Sequence, residues 1–136
     1  MSGERRMLVP GLFGLAVLAV ASVGYTEQPD FATDLKRANE AMRSEPARGY
    51  YEGPFNKAFY SHFSDWLNQC TQRTGQALAD LDMPVTLESQ GKVSGLRVHP
   101  QSKLTECFAG ETRKQQFPAP PTPGLVVPVS LRITKQ

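Results

Sequence analysis

Residues 83–98 read MPVTLESQGKVSGLRV, and the fold turns on them. From Met83 to Ser89 apolar and polar side chains alternate, the period-two pattern of a strand with one buried face. Gln90-Gly91 supplies a tight turn, and Lys92 to Val98 returns with Val93, Leu96 and Val98 apolar. Two such runs about a short glycine turn predict a half-buried β-hairpin. Gly95 inside the second run predicts a bulge or a helix packed close across it. His99-Pro100 ends the pair, because the residue before a proline is pushed away from helix.

Helical patterns flank the hairpin. Upstream, Phe55, Phe59, Phe63, Trp66, Leu67 and Cys70 recur at three- and four-residue spacings, while Lys57, Ser61, Asp65, Asn68 and Gln72 lie mostly elsewhere. That is one apolar stripe, and it predicts a core helix from Phe55 to Thr74 with Gly75 as its stop. Downstream, Ser102 predicts the cap of a second core helix with Leu104, Cys107 and Phe108 inward. Phe117 to Gly124 (FPAPPTPG) reads as a rigid extended crossover, with a polyproline-type ligand segment as the alternative. Leu125 to Thr134 is then a last strand, with Val127, Val129, Leu131 and Ile133 on one side and Val126, Pro128, Ser130 and Arg132 on the other. Before all of this, Asp30 caps a short helix to about Ser44 with Phe31, Leu35, Ala38 and Met42 in a stripe. Pro46 ends it, and Arg48 to Pro54 reads as a loop. Whether this helix is a spacer or packs on the domain stays open.

The first 24 residues predict an export signal. Arg5 and Arg6 precede an uncharged apolar run centred on residues 8–21, and Ala19-Val20-Ala21 and Ser22-Val23-Gly24 offer small residues for cleavage. The run also just reaches the ~18–20 residues of a membrane anchor, so cleaved signal and uncleaved anchor are both open. Either way the remainder is exported to the periplasm, because the arginines hold the first end inside. The charge balance of 15 basic to 13 acidic side chains leaves no electrostatic footprint for nucleic acid.

Two cysteines in an exported chain predict a Cys70–Cys107 disulfide. Both fall on the inner faces of predicted helices, at similar distances from the sheet. The loop they close holds 36 intervening residues, which by loop-closure entropy is worth about 4 kcal/mol. His62 precedes Cys70 by eight positions, as His99 precedes Cys107. His62 and Cys70 lie on one predicted helix, which rises about 12 Å over that interval, too far for one zinc ion, so no metal is expected.

From Phe55 to the end, the ordered set of a helix ending in Cys70, the hairpin with Gly91-Lys92-Val93, the helix start Ser102-Lys103-Leu104-Thr105-Glu106-Cys107, the Phe117-Pro118-Ala119-Pro120 element and the strand Val127-Pro128-Val129 resembles the C-terminal domain of TonB and TolA energy transducers. It is most similar to the AgmX/PglI C-terminal branch. The resemblance implies an α+β fold, a three-stranded antiparallel sheet with two helices on one face in the order α-β-β-α-β, preceded here by the extra N-terminal helix. It also implies a binding module for periplasmic or outer-membrane proteins, which often pair a peptide against a sheet edge. Val126, Pro128, Ser130 and Arg132 are the expected edge positions. Proline at 128 blunts that edge if its missing N–H faces outward and leaves it open if inward.

The expected organisation is an export signal or anchor at 1–24, a helical spacer and loop at 25–54, and the binding domain at 55–136. Only the short stretch from Tyr25 to Pro54 separates the apolar segment from the domain, and that segment carries no ionisable residue. A module without energy transduction is therefore expected. A self-associating structural protein, forming a homodimer, is the alternative. A small periplasmic enzyme or inhibitor ranks lower: no G-x-S-x-G elbow, H-E-x-x-H or phosphate loop occurs. Asp80 and Asp82 read as solvated turn residues. No catalytic residue and no cofactor is expected.

Overall fold

A computed structural model describes residues 27–133, with side chains from Asp30 onward. The export segment at 1–24, the first two residues of the spacer and Thr134 lie outside the described residues. Phe31 to Gln136 forms one compact unit, and the preceding unit, Met1–Asp30, falls almost wholly outside the description. The elements are α1 (Glu27–Ala41), α2 (Ala47–Tyr50), a π-helical turn (Tyr51–Phe55), α3 (Asn56–Thr74), β1 (Leu81–Leu87), β2 (Val93–Leu96), α4 (Lys103–Arg113) and β3 (Leu125–Leu131). The fold is α+β, with an antiparallel sheet of order β2-β1-β3. Among the described residues no helix is long and apolar enough to cross a membrane.

The core lies between one face of the sheet and the pair α3 and α4. Leu81, Met83, Val85 and Leu87 on β1 and Leu125, Val127, Val129 and Leu131 on β3 point into it, against Phe55, Phe59, Trp66 and Phe108. The alternation read from residues 83–89 is the cause: every second side chain meets the helices. Phe59, Trp66 and Phe108 meet mostly edge to face, the two phenyl centroids 6.1 Å apart. Ser102 caps α4 as expected, its hydroxyl accepting the Thr105 N–H at 3.0 Å while the Thr105 hydroxyl accepts the Ser102 N–H at 2.8 Å.

The part of α1 from Phe31 to Ala41 docks on the other face. His99 and Arg97 stand opposite Asp82 and Pro84, out of phase with the core positions. Phe31 lies 5.3 Å from the His99 ring and Asp34 3.4 Å from the Arg97 guanidinium. Ala38, one of the stripe positions, is fully buried. Phe31 to Ala41 therefore belongs to the compact unit.

Several boundaries differ from the sequence reading. Asp30, expected as a cap, lies inside α1, which begins at Glu27 and ends at Ala41 rather than Ser44, and β3 ends at Leu131 rather than running on through Ile133. The expected loop from Arg48 to Pro54 is instead helical and runs straight into α3. Pro54 is accommodated because the π turn widens the helix where its ring would otherwise strike the preceding turn. The second strand ends at Leu96 rather than Val98, and the reason is Pro84. Asp82 and His99 exchange both backbone hydrogen bonds at 2.9 Å. The polar groups of Asp82, Pro84 and Thr86 thus face β2, and those of Leu81, Met83, Val85 and Leu87 face β3. Pro84 accepts from the Arg97 N–H at 3.5 Å but has no N–H to return, so regular pairing stops there.

Candidate functional site

The outer edge of β3 is the first candidate. Pro128 stands opposite Pro84. Because the Pro84 backbone faces away from β3, this is a non-hydrogen-bonded pair, and the Pro128 backbone faces away from β1. Each proline therefore occupies a position where the ladder between these two strands needs no donor. The missing N–H of Pro128 points outward, so the edge is blunted at its centre.

Its outward carbonyl is occupied as well. The Tyr51 hydroxyl donates to the Pro128 carbonyl at 2.5 Å, and the neighbouring Tyr50 hydroxyl donates to the Pro118 carbonyl at 2.6 Å. Burial pushes Tyr50 up to about 12. Tyr51 is also raised, first by burial and then by Tyr60 and Glu52 beside it. Both phenols stay protonated donors at neutral pH.

The four expected edge residues are not equivalent. Val126 and Pro128 are buried, while Ser130 is exposed at the edge. Ser130 donates to Asp82 Oδ1 at 2.6 Å, and Arg132 grips the same carboxylate at 2.9 and 3.2 Å while also donating to the Leu81 carbonyl at 3.0 Å. Asp82 lies within β1, not in a solvated turn, and Asp80 accepts the Ile133 N–H at 2.7 Å. Ile133, expected on the same side as Val127, Val129 and Leu131, is 44% exposed.

The β2 edge is covered too. Phe117 N–H donates to the Gly91 carbonyl at 2.9 Å, Lys92 pairs with Gln116, and Arg113 reaches the Leu96 carbonyl at 3.3 Å. A groove of about 370 Å³ remains beside it, lined by Glu88, Lys92, Val93, Ser94 and residues 113–116. A second surface feature lies on α3: Tyr60 is 52% exposed and packs edge-on against Phe59, and His62 stacks on Trp66 at 5.3 Å.

Cys70 and Cys107 come together, their sulfurs 2.08 Å and their Cα atoms 5.7 Å apart, joining α3 to α4. With both sulfurs in one bridge, neither is a free thiolate that could ligate a metal. Among the described residues no group of three or more His, Cys, Asp or Glu could hold a metal.

The sequence reading missed the tyrosines. A signal was present: Tyr51 stands four residues before Phe55 and continues the stripe upstream, and its ring stacks on Phe55 at 6.0 Å. Gly53-Pro54 hid that continuation. Compared with family models, curated proteins and solved structures, the chain matches none.

Proposed function

We propose that this chain is an exported envelope protein whose C-terminal part is a non-catalytic binding module of the kind found at the C-terminus of TonB, docking a periplasmic or outer-membrane protein without transducing energy. One observation carries the reading: the element order α-β-β-α-β with the C-terminal strand at a sheet edge, the arrangement the resemblance implies. The Cys70–Cys107 contact is compatible with an oxidising compartment. The docking rim is the β3 edge together with the tyrosines flanking it. A partner meets Ser130, Tyr51 and Tyr60 by side-chain contacts, and only by displacing the Tyr51 hydroxyl could it reach the Pro128 carbonyl.

Site-specific photo-cross-linking of the full chain in a Gram-negative envelope tests this. A cross-linker at position 130 is expected to capture one envelope protein, and one at Lys36 on α1 none. Capture only from position 36, or none from position 130, contradicts the reading.

A further inference from the structure

The two sulfurs of the bridge are unequally placed. Cys70 is fully buried on the inner side of α3, whereas Cys107 is partly exposed on α4. The Arg73 guanidinium, one turn beyond Cys70, lies 3.4 Å from the Cys107 sulfur. It is shared with the Glu111 carboxylate at 3.8 Å. Along α4, Lys103 and Glu111 stand one turn to either side of Cys107, with Glu106 adjacent in sequence. The buried sulfur therefore has no approach from solvent in the folded chain, while the other has both an approach and a cation beside it.

We propose that Cys107 is the exchange site of this protein, the sulfur on which a mixed disulfide with an external anionic disulfide forms, and that Cys70 is the resolving sulfur. In oxidation, the Cys107 thiol loses its proton to solvent, and the thiolate attacks one sulfur of the external disulfide. That S–S bond breaks and its other sulfur leaves as a thiolate. Cys70, deprotonated in turn, attacks the Cys107 sulfur, and the second external thiolate leaves. Two electrons pass from the cysteine pair to the external disulfide, which ends as two thiols. Reduction runs the same path backwards, with an external thiolate attacking Cys107 and Cys70 leaving.

Arg73 draws the anionic reagent to that sulfur. Its side chain is 59% exposed and Glu111 opposes it, so water and the carboxylate hold its effect to a factor of a few. Exchange at Cys107 needs no protein partner and does not depend on docking.

The test uses the reduced full chain pulsed with oxidised glutathione, quenched in acid and mapped by peptide mass. Glutathione is expected on Cys107 at least ten-fold over Cys70. Arg73→Met is expected to slow capture of oxidised glutathione several-fold and to leave the neutral reagent dithiodipyridine unchanged. Cys70→Ser should react at the wild-type rate. Because it loses the bridge, the site is also mapped on the oxidised wild-type chain during attack by reduced glutathione, where Cys107 is again expected. Equal or preferential capture at Cys70 in the folded chain overturns the assignment. Equal slowing with both reagents overturns the part given to Arg73.

Discussion

Tyr50 and Gly91 show how much single side chains, or their absence, decide here. Tyr50→Phe removes the hydroxyl bond to the Pro118 carbonyl and is expected to cost about 1 kcal/mol in urea denaturation at neutral pH. It also has an alkaline signature. The folded-state pKa is raised to about 12 from 10.0, so the stability tied to the neutral phenol is complete below pH 10 and is lost as pH rises toward 12. The wild type should therefore lose more stability than Tyr50→Phe over that window; parallel losses would show that another group is responsible. Gly91 has φ +85°, and a Cβ there would fall 1.8 Å from the Phe117 carbonyl oxygen. Gly75 at φ +72° ends α3 with open space around it. Gly91→Ala should cost at least about 3 kcal/mol, as crossover and turn must separate, and Gly75→Ala about 1 kcal/mol. Equal costs would mean that the approach of Phe117 does not constrain the turn.

The helices and strands were legible where a period runs uninterrupted. The Phe55–Cys70 stripe, the Met83–Leu87 alternation and the Ser102 cap each state a local rule that the tertiary structure obeys. Proline is where the reading failed, for a physical reason: its effect depends on which way its missing N–H points. Pro54 reads as a breaker yet sits inside a π turn, and Pro84 reads as an ordinary strand position yet truncates the neighbouring strand. Neither orientation exists until strands pair and helices pack. The same holds for Asp82, whose carboxylate became structural only through the register that brings Arg132 and Ser130 beside it. At the junction of α3 and α4, replacing both cysteines by serine is expected to lower stability by roughly 2–4 kcal/mol, checked by denaturant midpoints. Phe59→Ala is expected to cost about 3–5 kcal/mol, since its ring meets Phe55, Trp66 and Phe108. A cost under about 1 kcal/mol would mean that the aromatic cluster is not the centre of the core.

The whole sheet has its two open sides managed differently. Gln116, Phe117 and Arg113 cover β2, while Pro128 and Tyr51 close the middle of β3. Such edges resist self-pairing, and the purified chain is expected to elute as a monomer at micromolar concentration. Tyr51→Phe combined with Pro128→Val reopens the edge and should bring concentration-dependent dimers; a wild-type dimer through β3 would instead favour the self-associating alternative. Export and bridging remain the premises on which the docking proposal stands. They are read together by the intact mass of the chain recovered from a Gram-negative envelope fraction without reductant. The account predicts a chain lacking both thiol hydrogens, found with the envelope; a chain with both thiols free, recovered from the cytoplasm, contradicts it.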